Sequence, residues 1–450
     1  MPTAPNLLFI AIDDLRPELH CYDQAHMHTP AIDRLAARGV QFDRAYCPVP
    51  VCGASRASLF TGLRPTPQRF RTHFTRIEED APDALALHEH LQQQGYTTVT
   101  HGKVLHHVND RVGGWTQPSR PFEDAFPGYR NADNVAFWRK QRASTPAGVA
   151  PRTRGPAWEV GDVDDDAYPD AEVVRRTAAD LDRLAGGDQP FFLAAGFTRP
   201  HLPFLAPKRY WEMYDPASIE LPDMSPPSDC PPQALHNSGE LRNYRNIPDD
   251  GPFDEAMIRT LIQGYRASVS YLDTLIGRLV DAVEASGAAD NTIIVFWVDH
   301  GWNLGEHGLW CKHSLFETSL RVPLLISGPG IGAGRARGVV ENLGIYPTVC
   351  ELLGLPTPEH VAGTSLRPLL EDPAAPGGHA LSRWAHGESV RTDRYRYSEF
   401  REEGEVVGRM LYDHDKDPGE TVNLAGDPAH AGTIEQLAGL LPPIDVGAEA

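Results

Sequence analysis

Residues 6–14 read NLLFIAIDD. A strand with one face in water alternates apolar and polar residues. The run from Leu7 to Ile12 does not alternate, so it predicts a strand covered on both faces. Residues 292–300, TIIVFWVDH, repeat the pattern: an unbroken apolar run that stops at two polar residues. Between these strands, TPAIDRLAARGVQF (29–42) predicts a helix capped by Thr29, with Pro30 in its first turn and Gly39 closing it. ALALHEHLQQQGYTTVTHGK (84–103) predicts a helix, a break at Gly95 and a short strand. VVRRTAADLDRLA (173–185) and PFFLAAGF (190–197) give a further helix and strand, and 265–287 a long amphipathic helix. Alternating helices and apolar strands predict an α/β fold, a large mixed sheet flanked by helices on both faces.

Two segments break this rhythm. Residues 107–170 are rich in Gly, Pro, Asp and aromatics and read as a long functional excursion. Residues 216–254 carry many prolines and read as a surface wrap. From Pro373 onward, short alternating strands and turn signals predict a small antiparallel C-terminal subdomain with a closing helix. The expected organisation is a main domain over 1–372 and this subdomain over 373–450.

A chain of 450 residues is long enough for one large α/β core plus a smaller unit. Its net charge of −20 argues against a nucleic-acid partner, whose footprint is a basic face. An anionic small substrate stays open, because a basic pocket can sit in an acidic protein. Six cysteines without a CxxC pair disfavour a disulfide framework and a Cys/His zinc cluster. The apolar runs are far shorter than a membrane span, so no membrane partner is expected. No leader-like segment precedes Asn6. The expected location is cytoplasmic if Met1 is the native start, and periplasmic or secreted if a signal peptide has been removed.

Asp13 and Asp14 stand where the first strand runs out, and Asp299 and His300 where the later one does. Ligands of open α/β sheets collect beyond the carboxyl ends of strands. Either pair alone is explained by turn or cap chemistry. Together they put three carboxylates near one point, which repel unless a cation sits among them. Oxygen-rich ligands suit a hard divalent ion, calcium or magnesium. CGASRASLFTG (52–62) starts a predicted helix at Cys52, with Arg56 one turn later. A helix N-terminus acidifies a thiol. A lone cysteine is also commonly a buried packing residue, and these residues alone leave that choice open. THGKVLHH supplies Lys103, His106 and His107; FTRPHLPF supplies Arg199 and His201; HGLWCKHS supplies His307, Lys312 and His313. Collectively they suggest a cationic ring that binds a tetrahedral oxyanion and protonates a leaving group.

NLLFIAIDDLRPELHCY, CGASRASLFTG, HGKVLHH, GFTRPHLPF and VDHGWNLGEHGLWCKHSLFETSLRVPLLI, in this order, resemble the type I sulfatases, specifically their iduronate-2-sulfatase-like branch. The resemblance runs from about Asn6 to Asn423, weakest over 107–190 and 216–250. It implies the alkaline-phosphatase-like sulfatase fold and hydrolysis of a sulfate ester on a sulfated saccharide. It also implies that a formylglycine-generating maturase oxidises Cys52 to formylglycine, whose hydrate is the nucleophile. By the same resemblance Asp13, Asp14, Asp299, His300 and residue 52 hold one divalent metal, calcium first and magnesium second. Arg56 steadies the hydrate, Lys103 and Lys312 grip sulfate oxygens, His106 takes the proton of the second hydroxyl, and His201, with Lys312, protonates the leaving alcohol. The family string is C-x-P-x-R; Ala54 stands in the proline's position, as in some bacterial members.

Three other readings compete. A phosphonate monoester or phosphodiester hydrolase shares the fold, metal and aldehyde. A silent binder of sulfated glycans would keep Cys52 unmodified. A cysteine hydrolase would use Cys52 with a histidine and leave the acidic cluster unexplained. Trp115, Phe122, Tyr129, Phe137 and Trp138 are candidates for sugar stacking, and Arg391, Arg394 and Arg396 for binding a substrate carboxylate.

Overall fold

The computed structural model describes residues 4–120, 127–145 and 154–442. Its main sheet has seven strands: β1 (Asn6–Asp13), β2 (Gly39–Tyr46), β3 (Thr97–Gly102), β4 (Phe191–Pro200), β5 (Thr292–Val298), β6 (Arg321–Ser327) and β7 (Gly334–Glu341). They lie in the order β7-β2-β6-β5-β1-β4-β3. Only β6 runs antiparallel to its neighbours, so the sheet is mixed. Every residue of β1 and β5 is buried, as their unbroken apolar runs predict.

Five helices matter for the site: α1 (Pro30–Ala36), α2 (Cys52–Thr61), α3 (Leu87–Gln93), α4 (Pro169–Ala185) and α5 (Glu255–Ala285). Two expectations about them are corrected. Thr29 does not cap α1; its Oγ1 accepts from the His20 amide at 2.9 Å. The cap comes from Asp273 on α5, whose carboxylate accepts the amides of Ala31 (3.1 Å) and Ile32 (2.7 Å). Gly39 belongs to β2 rather than closing the helix. In addition, α5 starts at Glu255, upstream of the predicted Tyr265, where Asp254 caps it by accepting from the Met257 amide at 2.8 Å.

The C-terminal sheet contains Ala380–Trp384, Gly387–Arg391, Tyr395–Glu402 and Glu405–Asp413, antiparallel in chain order, followed by the helix Ala431–Ala438. It docks beside the approach to α2. Ser382 Oγ donates to the Cys47 carbonyl (2.7 Å), and the Arg383 amide to that of Pro48 (2.8 Å). Among the described residues no helix is long and apolar enough to cross a membrane.

Candidate active site

Register builds the site. Ile12 pairs with Val298, so Asp13 and Asp299 leave the sheet side by side. A slip between Ala11 and Asp13 sets Asp13 opposite Pro200, which brings the end of β4 to the same point. Cys52 is the first residue of α2. A Cβ on Gly53 would lie 2.6 Å from the His73 carbonyl oxygen. Only glycine allows the segment around His73 to close over the start of this helix. Arg56, fully buried, binds the strand ends together. Its Nε donates to Asp299 Oδ2 (2.9 Å), and its terminal nitrogens donate to the carbonyls of Ile12 (3.1 Å), Val104 (3.0 Å) and Lys103.

The ligand atoms of Asp13, Cys52, Asp299 and His300 all lie within 4.8 Å of one another. His300 Nδ1 faces the Gly301 carbonyl at 3.1 Å, which can only accept, so Nδ1 carries the proton. The bare Nε2 then faces Asp14 Oδ1 at 3.4 Å and Asp299 Oδ1 at 3.7 Å. A nitrogen lone pair pointed at carboxylates is repulsive without a cation between them. Asp13 Oδ1 and His300 Nε2 are both buried without a hydrogen-bond partner. Burial lowers the His300 imidazole, keeping it neutral and able to ligate. Burial, reinforced by neighbouring Asp13, pushes Asp299 up to about 7. These residues fit a hard divalent cation by donor chemistry and by their orphaned atoms. Asp14 joins from the side: both its oxygens accept from Lys312 Nζ, at 3.0 and 3.2 Å.

The cationic ring assembles around this cluster. Lys103 Nζ donates to Asp13 Oδ2. Burial would raise the Cys52 thiol, but the Lys103 and Lys312 ammoniums pull it below the usual cysteine range. Burial would lower Lys312, yet Asp14 and Glu240 hold it well above the usual lysine range, so it stays an ammonium. Burial and the Lys103 charge push His106 down to about 3, leaving a neutral imidazole. His201 is lowered by burial and by Lys312; its Nε2 lies 3.7 Å from Asp14 Oδ2, and its Nδ1 meets the Leu202 carbonyl. Asp170, in the first turn of α4, accepts the amides of Thr198 (3.0 Å) and Arg199 (2.8 Å), and Arg199 donates to the His201 carbonyl at 3.0 Å. Arg199 therefore orders the loop that carries His201.

The structure brings together Asp13, Asp14, Cys52, Arg56, Lys103, His106, His201, Asp299, His300 and Lys312. Arg199 and His313 border the site, while several other candidates lie elsewhere. His307 packs on Phe316 at 4.4 Å. Trp115 is buried and stacks on His88 at 4.5 Å, and the Tyr129 hydroxyl donates to the Pro156 carbonyl at 2.7 Å; both are packing residues rather than sugar platforms. Phe137 lies under Arg245 at 4.6 Å, Trp138 packs partly buried against the core, and Phe122 falls outside the described residues. Arg396 is committed to Glu420 (2.7 Å) and Glu317 (2.5 Å), Arg391 approaches Glu317 at 3.5 Å, and Arg394 pairs with Asp413 at 2.6 Å. The expectation that these arginines hold a substrate carboxylate is thereby replaced by internal pairing.

Sequence reading missed three residues. Glu240 reaches the site from the segment expected to be a surface wrap, with Oε1 3.1 Å from Lys312 Nζ. Trp302 lies under Lys312 at 5.2 Å, and Trp384 of the C-terminal sheet lies 4.9 Å from the His313 ring. Glu240 and Trp384 carry no local signal, whereas Trp302 lies two residues after His300 in the quoted VDHGW segment. Glu240 sits in HNSGELR, which reads as an ordinary polar helix start.

Comparison with known proteins adds the following. The family described as Sulfatase matches residues 5–355, and N-sulphoglucosamine sulphohydrolase, C-terminal, matches 305–444. A sulfatase of Formosa agariphila is 32% identical over 97% of this chain and 86% of its own. Iduronate 2-sulfatase of Mus musculus is 30% identical over 96% of this chain and 93% of its own. The solved structure of a 2-O GAG sulfatase superposes with a TM-score of 0.74 at 24% identity, covering 97% of this chain and 91% of that one. With a family match over most of its length and relatives that align end to end, this chain belongs to the sulfatase family of sulfuric ester hydrolases.

Proposed function

We propose that the protein removes an O-sulfate from a sulfated carbohydrate, in the manner of an iduronate 2-sulfatase, using formylglycine formed from Cys52 by a formylglycine-generating maturase. The observation that carries this reading is the convergence of Asp13, Cys52, Asp299 and His300 within 4.8 Å, flanked by the buried Lys312 and the half-buried Lys103. Asp13, Asp14, Asp299, His300 and residue 52 would hold one divalent cation, calcium in preference to magnesium, because five protein ligands with three carboxylates make a dedicated cage, whereas magnesium keeps several waters and takes one or two carboxylates. Such a cation, with the aldehyde hydrate, would supply an oxygen nucleophile at neutral pH.

The chain's own side chains then divide the work. Lys103 and Lys312 bind the sulfate oxygens and concentrate positive charge where negative charge builds up. Arg56 holds Asp299 and the loop after β3 in register. His106, neutral in the field of Lys103, takes the proton of the second hydroxyl in this reading. Lys312, kept as an ammonium, stands ready to donate a proton to the departing alcohol, and His201 beside it shares that role once its Nε2 carries a proton. The reading includes a catalytic domain over 1–372 and a C-terminal subdomain over 373–450 that supplies one wall of the approach. Its relation to iduronate 2-sulfatase, at 30% identity, supports a uronate 2-O-sulfate as substrate.

The test is the mass of the tryptic peptide Ala45–Arg56 after co-expression with a formylglycine-generating enzyme. Turnover of matched aryl sulfates, aryl phosphonates and sulfated uronate disaccharides follows. Loss of the Cys52 sulfur, reactivity toward hydrazines and preference for sulfate are expected. An intact thiol despite a competent maturase would turn the reading into a sulfated-glycan binder; preference for phosphonate would turn it into a phosphonate hydrolase.

A further inference from the structure

Glu240 stands in the short helix Gly239–Arg242 and plays no part in the function above. Its carboxylate is 13% exposed. Oε1 lies 3.1 Å from Lys312 Nζ and 3.4 Å from His201 Nε2. Oε2 lies 4.0 Å from His313 Nδ1 and has no hydrogen-bond partner. Arg154 adds a further positive charge on this side. Burial would raise the carboxylate, but Lys312, His201 and His313 hold it below the usual range, so it is an anion.

A buried anion beside a pocket for sulfate works against substrate binding unless it does something else. The distances indicate what. Lys312 Nζ lies between Asp14 (3.0 Å) and Glu240 (3.1 Å). His201 Nε2 lies between Asp14 (3.7 Å) and Glu240 (3.4 Å). The same two carboxylates therefore bracket both groups. Asp14 belongs to the metal cluster and Glu240 does not, so Glu240 is the anchor that metal binding leaves in place. Lysine has a flexible four-carbon stem and needs such an anchor to hold one geometry.

We propose that Glu240 is a positioning residue that anchors Lys312 Nζ directly and orients His201 whenever its Nε2 carries a proton, keeping the two side by side at the leaving-group end of the site. The inference rests on the sulfatase reading. Its test compares wild type, Glu240→Ala, Glu240→Gln and Glu240→Asp, each with the maturase, on sulfate esters whose alcohols span a wide range of acidity. Glu240→Ala should lose about 10- to 100-fold in kcat on alkyl and sugar sulfates, where protonation matters, and far less on nitrophenyl sulfate. KM should move less than kcat, Glu240→Asp should recover part of the rate, and metal content should stay at wild-type level. An equal loss on every leaving group, or no loss, would overturn the proposal. Crystal structures of wild type and Glu240→Ala decide independently of turnover: Lys312 and His201 should shift while Asp13 and Asp299 stay. If wild type hydrolyses no sulfate ester, the sulfatase reading fails by itself; unmoved Lys312 and His201 in the variant would separately end the positioning role.

Discussion

Asp299 concentrates the chemistry of the site in one side chain. It accepts from Arg56, from the Asp14 amide at 3.2 Å and from the His300 amide at 2.9 Å, and it is one of four groups aimed at a common point. Asp299→Asn keeps the shape and removes the charge. It should reduce bound metal, read by elemental analysis, and lower turnover by about 10²–10³-fold. Stoichiometric metal with wild-type turnover would remove Asp299 from the ligand set. Asp13, Asp14, Asp299 and His300 were legible in the sequence because each pair ends an unbroken apolar strand. Glu240 was not, because its importance lies in the lysine and histidine it meets across the fold.

At the scale of elements, helices hold the strand-end loops in place. Glu18, just beyond β1, is buried and binds Arg16 (2.8 Å), His26 (2.9 Å) and, on α5, Arg266 (3.1 Å). Burial would raise this carboxylate, yet Arg16, His26 and Arg266 hold it well below its ordinary value of 4.5. A depressed carboxylate stabilises the folded state fully above its unfolded value. That contribution is lost as pH falls below about 4.5 toward the depressed value. Glu18→Gln should therefore cost about 2–3 kcal/mol at pH 7, because it leaves the half-buried Arg16 and Arg266 with less compensation. Its Tm should also fall less steeply than that of wild type between pH 6 and pH 3. Parallel Tm curves in a thermal-unfolding series would rule out this ion cluster as an acid-sensitive tie. The capping of α1 by Asp273 belongs to the same scale. A helix's start signal was read locally at Thr29, but packing against α5 supplied a stronger acceptor from far along the chain.

At the scale of the whole molecule, the C-terminal sheet and the main body share a buried ion network. Arg396 on the third strand of that sheet is 1% exposed and joins Glu420 to Glu317, which stands just before β6. Removing it takes the shared cation from the buried Glu420 and the half-buried Glu317. Arg396→Ala should destabilise the protein by about 3–5 kcal/mol. Hydrogen exchange should show protection lost over the strands of 380–413 before the main sheet opens. Uniform loss of protection across both sheets would mean that the two units unfold as one.

The sequence by itself determined the buried strands, the helices between them, the separate C-terminal sheet and the acidic pairs at the strand ends. Each of these is written in local periodicity or in residues adjacent along the chain. Tertiary structure alone decided which distant residues meet. It capped α1 with Asp273, turned Arg391 and Arg396 inward to Glu317, made Trp115 and Tyr129 packing residues, and brought Glu240 from a proline-rich excursion to the side of Lys312. Those outcomes depend on sheet order, register and burial, which couple residues from tens to hundreds of positions apart and leave no trace in any short window of sequence.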